Sequence, residues 1–208
     1  MTETEWLACT DPDAMLDFLR AGERLSPRKA RLFAVAACRR IRHLYADEKN
    51  FEAIEVAEAD AEAVFAHDGA ERDWVRRCRR MAAASALSPD SHEPLSTEKE
   101  AIWTAAFEAE GAAQVPLLRC LFGSTPFRCV SLPSSAFTGC DGRVPKLAQS
   151  AYNDRILPSG VLEPARLLTL ADALEENGCA NMDVLSHLRG PGPHVRGCWA
   201  VDLFLGKS

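Results

Sequence analysis

Apolar positions recur along most of this chain at intervals of three and four. Phe51, Ile54, Ala61 and Phe65 fall on one helical face, as do Trp74, Cys78, Met81 and Ala82, and again Leu167, Leu170, Ala171 and Leu174. Helix starts are well marked. Asp11-Pro12, Ser26-Pro27 and Glu163-Pro164 each set a proline where the first helical residue belongs. Asp68 with Glu71, and Thr97 with Glu100, read as capping boxes, and Gly178 and Gly190 as helix ends. The pattern predicts helices near 12–21, 27–45, 49–66, 69–86, 97–110, 112–121, 144–154, 164–177, 182–189 and 193–205. Phe127 to Leu132 is the one short stretch with strand character.

Two breaks interrupt this pattern. Residues 88–96 form a polar, proline-bearing connector, and 123–143 form a longer irregular stretch with Phe127 and Phe137 embedded in it. The expectation is an all-α, multi-helix, bundle-like domain with one long irregular loop at 123–143. An N-terminal helical half would run over 1–122 and a C-terminal half over 144–208, forming one compact unit.

The 208 residues suffice for a real core, and 47% hydrophobic with 26% charged residues is a globular balance. Aromatics make up 7% while alanine is abundant, which favours closely approaching helices over a sheet. A net charge of −6 argues against non-specific binding to nucleic acid or an anionic membrane. The helix at 27–45 is basic (Arg28, Lys29, Arg31, Arg39, Arg40, Arg42), as is that at 69–86 (Arg72, Arg76, Arg77, Arg79, Arg80). Positions 50–71 between them hold only acidic charges, so mutually compensating helix faces are expected rather than a nucleic-acid groove. The acidic N-terminus resembles no signal peptide, and no apolar run is long enough for a membrane span. The chain is therefore expected to be cytoplasmic, with its eight cysteines reduced.

Candidate chemistry concentrates near the C-terminus. Cys179, Asp183, His187, His194 and Cys198 fall within twenty positions around the Gly190-Pro-Gly-Pro193 turn. His194 and Cys198, at i and i+4 of a helix, would lie about 40° apart and reach one point. Imidazole nitrogen and thiolate sulfur suit zinc, with His187 or Cys179 joining across the turn and a fourth ligand coming from the N-terminal half. Cys38 and His43 sit about 140° apart on a helix, so only one of them could contribute. Alternatively, Asp183 could orient His187 to activate Cys198, as in thiol hydrolases. Against that, Cys198 would lie more than a turn inside an apolar helix, where nothing lowers a thiol pKa. Arg189 and Arg196 flank the turn and could clamp an anion, cap helices, or pair with Asp202. No phosphate-binding loop, nucleophile elbow or His-Glu-x-x-His is present.

Glu5-Trp-Leu-Ala-Cys-Thr-Asp-Pro-Asp13, Leu121-Phe-Gly-Ser-Thr-Pro-Phe-Arg128, Leu157-Pro-Ser-Gly160 and Gly190-Pro-Gly-Pro-His-Val-Arg-Gly-Cys-Trp199 resemble motifs of a paralogous group of small, functionally unassigned proteins from planctomycete-type bacteria. Leu170-Ala-Asp-Ala-Leu-Glu-Glu-Asn-Gly178 is similar to a short helical domain that accompanies repeat proteins in such bacteria. The resemblance implies a bacterial cytoplasmic protein and carries over no catalytic residue. The expected function is a non-enzymatic protein-interaction module without a cofactor, binding another protein through Phe127, Arg128, Phe137, Arg189 and Arg196. The alternatives are a zinc protein using His194, Cys198, Cys179 and His187, and the thiol hydrolase using Cys198, His187 and Asp183.

Overall fold

Helices start where a side chain can satisfy the first free backbone N–H groups. Asp11 accepts from Asp13 N to open the helix Pro12–Ala21, and Ser26 accepts from Lys29 N to open Pro27–Arg40. A computed structural model describes residues 1–44, 49–61, 71–85, 97–128, 130, 132 and 142–207. Among these the chain is all-α, with no strand. In order, the helices are α1 (Glu3–Ala8), α2 (Pro12–Ala21), α3 (Pro27–Arg40), α4 (Lys49–Asp60), α5 (Glu71–Ser85), α6 (Thr97–Phe122), α7 (Arg143–Asn153), α8 (Pro164–Glu176), α9 (Met182–Arg189) and α10 (Trp199–Leu205). A 3₁₀ turn, Arg42–Leu44, follows α3. None of the described helices is long and apolar enough to cross a membrane.

The chain divides into two compact units. One is Ala8–Pro116, and the other joins Met1–Leu7 to Leu117–Ser208. The halves expected from the sequence met at the 123–143 loop. The division falls instead within α6 at Pro116, and the N-terminal segment belongs with the C-terminal residues because Trp6 is fully buried with Phe127 at its edge, ring centroids 6.0 Å apart. Of the expected loop, residues 129, 131 and 133–141 lie outside the described residues, as do Asp68 and the connector 88–96. Residues 123–128 form turns.

In the unit Ala8–Pro116, α3 packs on α4 and on α5. The expected charge compensation takes a specific form there. Arg39 of α3, buried, donates to Glu58 at 2.5 Å and Glu55 at 2.8 Å on α4. On the basic α5, Arg79 and Arg76 both meet Asp13 of α2. With their charges neutralised at short range, these arginines are structural.

In the other unit, α7 packs on α8 and α10, and α8 on α9. Leu167, Leu170, Ala171 and Leu174 of α8 are all fully buried, as their spacing required. Several elements differ from expectation: α1 was not expected, and the helix expected at 27–45 ends at Arg40. The helices expected at 97–110 and 112–121 are one helix running through Gly111 and Pro116, carried by the buried Val115, Leu117, Leu118 and Leu121. Burial outweighs the roughly 1 kcal/mol that an interior glycine costs. The last helix begins at Trp199, not 193. Val195 forms an antiparallel bridge with Val161, and Gly197 has φ +89°, so neither residue is helical.

The end of α6 depends on the absence of a side chain. Gly123 has φ +52°, and a Cβ there would lie 2.3 Å from the indole Nε1 of the buried Trp199. Gly142, at φ +69°, has none of the described residues within 4 Å of its notional Cβ. Both substitutions to alanine incur backbone strain of about 1 kcal/mol, but Gly123→Ala must also displace Trp199. Urea denaturation should therefore show Gly123→Ala losing about 1–3 kcal/mol more than Gly142→Ala.

Candidate metal centre

Four side chains converge in the unit that contains residues 117–208. Cys120 sits in the last turn of α6 and His187 in the last turn of α9. His194 follows the Gly190–Pro193 turn, and Cys198 is the N-cap residue of α10. One nitrogen or sulfur from each lies within 4.8 Å of all the others. Cys120, His194 and Cys198 are buried and His187 half-buried.

Each residue is placed by local structure. Asn181 caps α9 by accepting from Asp183 N and Val184 N, which sets the helical phase that turns His187 inward. The chain then reverses through Gly190 to Pro193, with a cis Gly192–Pro193 bond. Gly192 has φ +76°, and a Cβ there would stand 2.8 Å from His194 N, so no larger residue allows the reversal. Beyond it, His194 O accepts from Leu162 N at 2.8 Å and Cys198 N donates to Val195 O at 2.9 Å. His194 and Cys198 thus meet across a tight turn, not along a helical face as expected. Their i, i+4 spacing was a sound signal attached to the wrong conformation.

The hydrogen bonds orient the donor atoms. His194 Nε2 lies 3.2 Å from the carbonyl oxygen of Gly190, which can only accept. Nε2 therefore carries a proton, and the Nδ1 lone pair faces Cys120 Sγ at 4.0 Å. His187 points Nε2 at Cys198 Sγ, 3.3 Å away. Val195 N–H donates to Cys120 Sγ at 3.4 Å. The two imidazoles stand nearly perpendicular, 85°, with centroids 4.8 Å apart, and Trp199 tilts over His187 at 5.3 Å.

The electrostatics are unusual for so buried a thiol. Burial opposes ionisation of Cys198, but hydrogen bonds from Cys120, His187 and His194 outweigh it and hold the thiol well below its ordinary pKa. For His194, burial works against protonation, while the Cys198 sulfur and the Gly190 carbonyl more than reverse this and raise its pKa.

Other residues singled out from the sequence lie elsewhere. Cys179 is buried, its N–H closing the end of α8 on Leu174 O at 2.9 Å, and it is not in the donor group. Asp183 faces Arg128 at 3.2 Å and not His187, so the carboxylate expected to orient that imidazole does not do so. Arg128 also pairs with Glu3 at 2.8 Å. Arg189 is held by Asp172 at 2.8 Å and Glu175 at 2.5 Å, not by Asp202, and these carboxylates push its pKa further up. The guanidinium of Arg196 lies 6.0 Å over the Tyr152 ring. Phe127 is half-buried beside Trp6, and Phe137 lies outside the described residues. Cys38 belongs to the other unit and His43 is exposed on the 3₁₀ turn, so neither joins the group. The fourth member is Cys120, 67 positions before His187 on a different helix. No spacing rule could have selected it from among eight cysteines.

A buried hydroxyl braces the Cys198 turn. Tyr152 Oη donates to Asp202 Oδ1 at 2.7 Å, accepts from Gly197 N–H at 3.1 Å and lies 3.3 Å from Cys198 O. Compared with known protein families, curated proteins and solved structures, the chain matches none.

Tyr152→Phe keeps the ring and removes the shared hydroxyl, leaving Gly197 N–H without this acceptor. Thermal or urea unfolding should register a loss of about 1–3 kcal/mol.

Proposed function

We propose that this protein is a zinc-stapled helical module in which Cys120, His187, His194 and Cys198 hold one structural Zn²⁺. The observation that carries this reading is the gathering of two sulfurs and two ring nitrogens within 4.8 Å, buried, in a chain that draws them from α6, α9 and the turn before α10. Bonds of about 2.3 Å to sulfur and 2.0–2.1 Å to nitrogen imply tetrahedral edges of about 3.3–3.8 Å. The donors need contract by only about 1 Å to satisfy them. Two thiolates and two neutral imidazoles around Zn²⁺ sum to zero charge, which suits a buried site. The His194 Nε2–H bond to Gly190 and the Val195 N–H bond to Cys120 are the outer-shell contacts that orient such ligands.

Four protein ligands leave no open coordination position, so the ion would serve the fold and not catalysis. The staple would tie three segments distant in sequence at the point where the Gly190–Pro193 reversal has no regular structure to hold it. The six described cysteines are thiols, which fits a reducing, cytoplasmic setting.

Protein purified under reducing conditions without chelator should contain about one zinc per chain by elemental analysis and native mass spectrometry. His194→Ala and Cys120→Ala should each lose it, while Cys179→Ala should retain it. Cobalt(II) in its place should give the visible bands of a tetrahedral thiolate site. Stripping the metal should lower stability by several kcal/mol. Wild-type protein refolded with zinc that still carries none would overturn the reading.

A further inference from the structure

Two more thiols meet in the unit Ala8–Pro116, independent of the zinc proposal. Cys38 lies on α3 and Cys78 on α5, helices that pack directly on each other. Both residues are buried, and their Sγ atoms stand 3.3 Å apart. A disulfide bond is about 2.05 Å long, so closure requires the sulfurs to approach by about 1.3 Å. That is within the reach of small rotations about the two Cα–Cβ bonds. Ala34, Val35 and Ala37 on α3 and Val75 on α5 are buried as well.

We propose that Cys38 and Cys78 form an oxidative modification site: a dithiol that hydrogen peroxide converts into a disulfide cross-linking α3 to α5. One sulfur, as thiolate, attacks a peroxide oxygen. An S–O bond forms, the O–O bond breaks, and the departing oxygen leaves as water after taking up a proton, giving a sulfenic acid. The second sulfur attacks that sulfenic sulfur. The S–S bond forms, the S–O bond breaks, and a second water leaves. Two thiols supply two electrons and two protons, and one hydrogen peroxide becomes two waters. Which sulfur reacts first does not alter the balance.

Burial shapes the behaviour of the site. Peroxide reaches the pair only when α3 and α5 part locally, so oxidation is slow in the native state and quickens under conditions that loosen this unit. Once formed, the disulfide joins positions 40 residues apart, restricts the unfolded chain, and is shielded from attack by external thiols.

The test uses the full-length, zinc-supplemented protein. It is treated with hydrogen peroxide, alkylated under denaturing conditions and digested with trypsin without reduction. The expected product is a cross-linked peptide joining Leu32–Arg39 to Cys78–Arg79, two hydrogens lighter than the sum of its parts. The melting temperature should rise by about 5 °C or more, and denaturation with reductant should reverse the rise. Cys78→Ala should show neither the peptide nor the shift. Recovery of Cys38 and Cys78 as separately alkylated peptides, after peroxide has oxidised the half-exposed Cys9, would overturn the proposal. So would a Cys38 found joined mainly to another cysteine.

Discussion

The unit containing the donor cluster depends on how the segment Gly190–Trp199 seats against the end of α6. That segment has almost no regular structure of its own, so its position is set by a few fixed contacts. Val195 N–H reaches Cys120 Sγ, His194 O accepts from Leu162, and Trp199 occupies the space left by the missing side chain of Gly123. Each contact joins residues far apart in sequence. Remove them and four polar donors would remain in an apolar interior with nothing to hold them there, an arrangement whose cost grows with burial.

This explains why the chemistry of the region is concentrated. A buried thiol whose pKa is held down and two imidazoles at fixed angles meet there, and among the described residues Asp183 turns to Arg128 and away from His187. The Tyr152 hydroxyl, joining Asp202 and Gly197 beside Cys198, braces that turn. The other unit solves a different problem by different means. There, buried arginines on α3 and α5 are neutralised by carboxylates on α4 and α2. Arg39 and Arg79 are therefore part of the interior framework of that unit.

The helical character of the chain was legible because its local signals agree. Asp11, Ser26 and Asn181 cap the helices they precede, and α2 and α9 begin and end where their caps and periodicity place them. Misreadings arose where one signal has two physical meanings. Pro193 looks like a helix start, yet it belongs to a reversal. Gly111 looks like a break, yet the helix runs through it to the buried Val115, Leu117, Leu118 and Leu121. Likewise, an arginine beside a glycine-proline turn suggests an anion clamp. Only the positions of Asp172 and Glu175 reveal that Arg189 is already engaged.

By itself, the sequence determined the secondary structure class, most helix limits, and three of the four clustered donors, because these depend on neighbours within a few residues. Tertiary structure alone decided that Cys120 completes the group and Cys179 does not, that Asp183 turns to Arg128, and that residues 1–7 belong with 117–208. The reason is distance along the chain. Capping and periodicity act over one or two helical turns, whereas a donor set is chosen by which helix ends packing brings to one point, and nothing in the local pattern of Cys120 encodes that meeting.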